Sequence, residues 1–77
     1  MTEQNQVKRQ IEDQLKKVNF RLEILDMIGD KLLSMKKLAQ RVVEEDLTEK
    51  EIGDINNQVQ DLVEQVNLLD SEATELS

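Results

Sequence analysis

Apolar residues recur along the first half of the chain at helical intervals. Val7, Ile11, Leu15, Val18, Leu22, Leu25, Ile28, Leu32, Met35, Ala39 and Val42 advance by steps of 4, 4, 3, 4, 3, 3, 4, 3, 4 and 3, a mean of 3.5. That period marks a heptad stripe along one helix. Between Leu22 and Met35 the stripe widens, with Ile24, Met27 and Leu33 joining it. A wider stripe suits packing against more than one neighbour. The pattern predicts a long first helix over about residues 3–44, roughly 60 Å at 1.5 Å per residue.

A second stripe follows. Ile52, Ile55, Val59, Leu62, Val66, Leu69, Ala73 and Leu76 keep alternating steps of 3 and 4. They predict a second helix over about residues 49–74, roughly 40 Å long. Its start is written locally. Thr48 with Glu51 three residues on is a capping box, in which each side chain satisfies the other's backbone amide. Leu47 before the cap and Ile52 after it have the spacing of a hydrophobic staple. Glu49 and Glu51 suit the positive end of the helix dipole. A helix start at Thr48 implies a short break before it, and a short break implies antiparallel neighbours. Gly53 falls off the stripe and reads as a tolerated exposed glycine. Gly29 lies beside the first stripe, where it either admits a close helix or is merely tolerated.

The expected fold is therefore all-α: one domain, residues 1–77, built as a two-helix antiparallel hairpin. The first helix outruns the second by about 15 residues, so Val7, Ile11 and Leu15 have no partner within the chain. Covering a Val or Leu side chain is worth about 1.5–3 kcal/mol, so exposed ones point to a missing surface. The expectation is self-association, most simply a homodimer forming a four-helix bundle. Val7, Ile11, Leu15, Val18 and Leu22 are the candidate interface. The alternative is a helix of another protein laid in the same groove.

Composition narrows the function further. The 77 residues include no Pro, Cys, Trp or Tyr, no His and a single Phe20. Without Cys there is neither a disulfide framework nor thiolate chemistry, and without His the commonest general base and zinc ligand is missing. No glycine-rich phosphate loop and no serine nucleophile motif is present. The acidic groups Glu44-Glu45-Asp46 and Asp70 with Glu72 lack the spacing of a calcium loop. The reading is a protein that is not an enzyme and takes no cofactor or metal. No apolar run approaches a membrane span, and the first nine residues lack the apolar core of a signal peptide. A cytoplasmic, soluble protein without membrane contact is expected.

Charge is divided between the helices. Residues 1–43 hold nine Lys or Arg against six acids, +3; residues 44–77 hold Lys50 against eleven acids, −10; the chain carries −7. Exposed ion pairs are individually weak, so this division specifies pairing more than it stabilises. The basic pairs Lys8-Arg9, Lys16-Lys17 and Lys36-Lys37 are interspersed with acids in an acidic chain, so nucleic acid is not the expected partner.

Leu32, Met35, Leu38 and Ala39 form a Leu-x-x-Met-x-x-Leu-Ala segment. Leu47 and Thr48 follow in a polar turn, and Ile55, Gln58, Leu62, Val66, Leu69 and Thr74 mark the next helix. In this pattern residues 32–74 resemble the N-terminal helical core of bacterial flagellins. Ser34 stands where many flagellins carry Arg, and neither the Asn-Gly segment after the Thr nor the terminal polymerising helices have a counterpart. The resemblance thus implies that family's helical hairpin and not a filament subunit. Two functions remain in view: a self-associating structural or interaction module, or a small regulatory, adaptor or chaperone-like binder of a client helix. Met27 and Met35 would help a groove adapt to such a client.

Overall fold

The computed structural model describes residues 2–75. They form α1, Thr2–Glu44, and α2, Glu49–Glu75, with no strand among the described residues. Leu76, the last position of the second apolar stripe, lies outside them. The molecule measures 69 × 18 × 10 Å, and α1 and α2 pack against each other.

The break between the helices is short and held from both sides. The Glu45 amide donates to the Arg41 carbonyl at 2.9 Å, carrying the helical ladder one residue past α1. Arg41 Nε donates to Glu45 Oε2 at 2.9 Å across the same turn. At the start of α2 the Glu51 amide donates to Thr48 Oγ1 at 3.2 Å, and the Thr48 amide donates to Glu51 Oε1 at 3.3 Å. The Thr48 hydroxyl also donates to Glu51 Oε1, at 3.0 Å. Its carbonyl accepts from the Ile52 amide at 3.0 Å, which opens the ladder of α2. Four amides at a helix start have no partner within the helix, and Thr48 Oγ1 satisfies one of them.

The core is thin. Among the described residues only Ile24 (2% exposed) and Ile55 (5% exposed) are buried. Around them lie half-buried positions on each helix. On α1 these are Arg21, Ile28, Lys31, Met35 and Leu38; on α2 they are Val59, Leu62, Val66, Leu69 and Ala73. With Ile24 and Ile55 included, both series keep alternating steps of 3 and 4, so each helix presents one continuous stripe to the other. Arg21 and Lys31 occupy half-buried stripe positions, where their long aliphatic stems cover apolar surface.

The stripe that α1 turns toward α2 is not the line read from the sequence. Leu22, Leu25, Leu32 and Ala39 are exposed, and Ile24, Lys31 and Leu38 take the inward positions. The cause is visible in the steps. Leu22 to Leu25 to Ile28 takes two consecutive steps of 3, each falling about 60° short of a full turn. The line thereby slides from one face of α1 to another, and α1 carries two apolar stripes.

Candidate functional site

The second stripe on α1 is an exposed apolar face. Val7, Ile11, Leu15, Val18, Leu22 and Leu25 are all exposed, Ile11 at 59%. At 3.6 residues per turn their mean direction lies about 130° around the helix from that of Ile24, Ile28, Met35 and Leu38. The side chains that pack on α2 are therefore not these. Between Gln4 and Leu33, the sector holding this stripe also contains Gln14, Gly29 and Leu32 and carries no charged residue. Over a length of about 40 Å, α1 thus shows water a strip of uncharged, mostly branched aliphatic surface. Contiguous apolar surface of this kind marks interaction sites on folded proteins.

All five candidate interface residues, Val7, Ile11, Leu15, Val18 and Leu22, lie on this strip. Residues 2–20 are exposed throughout, so that part of α1 lies clear of α2. Gly29 sits within the strip. A Cβ added there would meet nothing within 4 Å, so no neighbour inside the chain requires the glycine. The same holds for Gly53.

The two flanks of the helix pair differ. On one, Ala39, Val42 and Val43 of α1 and Ile52, Ile55, Asn56 and Val59 of α2 line an open groove of about 380 Å³. Val43 is 85% exposed at its rim. On the other, Arg41, Glu51, Asp54 and Gln58 surround the edge of Ile55. The apolar groove was not read from the sequence, although a signal existed. Val42-Val43 is an adjacent apolar pair, and neighbours about 100° apart cannot both serve one narrow stripe.

The described residues bring no three acidic side chains together in a way that would hold a metal ion. Among them, no helix is long and apolar enough to cross a membrane. Thr48 and Glu51 spend their polar atoms on each other and on the first turn of α2. Ser34, Ser71 and Thr74 likewise donate to the carbonyls four residues back, at 3.1, 3.0 and 2.9 Å. What the surface offers chemically is uncharged area with a defined direction. No known family model matches the chain, and neither a characterised protein nor a solved structure matches it significantly.

Proposed function

We propose that the protein is a non-enzymatic helical-hairpin module that self-associates through the uncharged strip of α1. The observation that carries this reading is the exposure of Val7, Ile11, Leu15, Val18, Leu22 and Leu25 on a face turned away from α2. The hairpin is antiparallel. Helices of 43 and 27 residues laid end to end would span about 105 Å, whereas the molecule is 69 Å long. Two such hairpins joined by their α1 strips make a four-helix assembly. A helix pair with so thin a core gains most of its remaining apolar burial from a second copy, since two helices alone cannot enclose a core.

A second reading rests on the groove between Val43 and Ile52. It is short, apolar and open, and would take one amphipathic helix of another protein. The module would then act as a small adaptor or chaperone-like binder, in the cytoplasm, without membrane or nucleic acid.

Sedimentation equilibrium of the whole chain from 1 to 100 μM (about the range where a dimer of modest strength dissociates) tests the first reading. A mass of twice 8.9 kDa at the upper end is expected. A mass of 8.9 kDa throughout would overturn it.

A further inference from the structure

We propose that the two α1 strips meet antiparallel, about a two-fold axis near residue 20. This rests on the self-association proposed above and adds its direction and register. From Val7 to Leu33 the middle of the strip, leaving aside Gln14 and Leu32 at its edge, steps by 4, 4, 3, 4, 3, 4 and 4 residues through Gly29. The series reads the same from either end. A two-fold axis across two antiparallel helices requires such a sequence, because each position must meet its mirror position on the other copy.

Positions whose numbers add to 40 face each other. Leu15 meets the partner's Leu25, Val18 the partner's Leu22, and Ile11 the partner's Gly29. The last pair gives Gly29 a role that nothing inside the chain supplies. The open space over its Cα is filled by a branched side chain of the second copy, and the two backbones approach there. Parallel copies would instead set glycine against glycine, leaving a hole.

The lengths agree as well. Residues 2–20 of α1 are exposed throughout, and half-buried positions against α2 begin at Arg21. An axis near residue 20 lays the uncovered part of each α1 along the part of the other that carries α2. No stretch of the strip is left without a neighbour. The register is electrostatically mixed, because Glu12 lies beside the partner's Asp26 and Arg21 beside the partner's Arg21, while Lys8 lies in the same relation to the partner's Asp30. Such contacts near solvent are weak and screened by salt.

The chain contains no cysteine, so single cysteines report the pairing directly. Leu15→Cys and Leu25→Cys are made separately, and each is checked by sedimentation beside the wild type. Each alone, and an equal mixture, is then equilibrated in a glutathione buffer. In the antiparallel register two copies of residue 15 are about 15 Å apart along the axis, beyond the 4.4–6.8 Å that a disulfide spans between Cα atoms. The expected result is a mixed disulfide as the dominant cross-linked species in the mixture, with each variant alone remaining reduced. Self-disulfides of each variant, or dimers that form no disulfide in any mixture, would overturn the antiparallel register and leave self-association standing. A wild type that sediments as a monomer would remove both.

Discussion

Ile24 and Leu25 are adjacent in the chain and belong to different surfaces. Ile24 is 2% exposed against α2, while Leu25 is 57% exposed on the far strip. One residue turns an α-helix by about 100°, so two neighbouring aliphatic side chains serve two partners. The first partner is α2, and the second is the additional copy inferred for the strip.

The pair separates folding from association. Ile24→Ala removes the most buried side chain among the described residues and should lower the stability of the hairpin by about 2–3 kcal/mol. Leu25→Ala should leave the monomer within about 0.5 kcal/mol of wild type while weakening association about tenfold, or ~1.4 kcal/mol. Urea unfolding followed by circular dichroism at a concentration where the chain is monomeric reads the first effect, and sedimentation reads the second. Equal effects of both substitutions on monomer stability would contradict the division of α1 into two faces.

Thr48→Ala tests the joint. It removes the acceptor of the Glu51 amide and the group that Glu51 Oε1 holds. A lost cap of this kind costs about 1 kcal/mol. Thr48→Ser keeps the hydroxyl and should recover most of the loss. Thermal unfolding of the three proteins is the measurement. An alanine variant as stable as wild type would show that α2 is held by packing alone.

Helix count and the start of α2 were legible from the sequence because both depend on local chemistry. Thr48 and Glu51 lie three residues apart, and their reciprocal bonds need nothing from the rest of the fold. The facing of α1 was not legible in the same way. Its apolar residues fill two stripes about 130° apart, and a walk in steps of 3 and 4 can pass between them at Leu22-Leu25-Ile28 without breaking rhythm. Periodicity gives the number of faces only when a single face is apolar. Packing against α2 decides the rest, by choosing Ile24 and Leu38 over Leu25 and Ala39.

Salt should strengthen association. Each copy carries −7, and the register sets Glu12 beside the partner's Asp26. Ionic strength screens both, since the Debye length falls from about 10 Å at 0.1 M to about 3 Å at 1 M. The apolar strip is untouched by screening. The dissociation constant measured by sedimentation should therefore fall severalfold between 0.05 and 0.5 M sodium chloride, a range over which about a tenfold change is ~1.4 kcal/mol. A constant that rises with salt would mean that charge attraction holds the copies together, and the strip would lose its role.

The two glycines provide the sharpest contrast. Both lie within helices, and a Cβ at either would meet nothing within 4 Å inside the chain. Alanine should stabilise the monomer by up to about 1 kcal/mol at each position. On association the two must diverge. Gly53 is off the strip, so Gly53→Ala should leave the dissociation constant where it was. Gly29 faces the partner's Ile11, so Gly29→Ala inserts a methyl group where two backbones approach and should weaken the dimer severalfold despite the more stable monomer. Paired unfolding and sedimentation on the two variants decide the matter. If Gly29→Ala associates as tightly as Gly53→Ala, the close approach at Gly29 is wrong, and with it the register centred near residue 20.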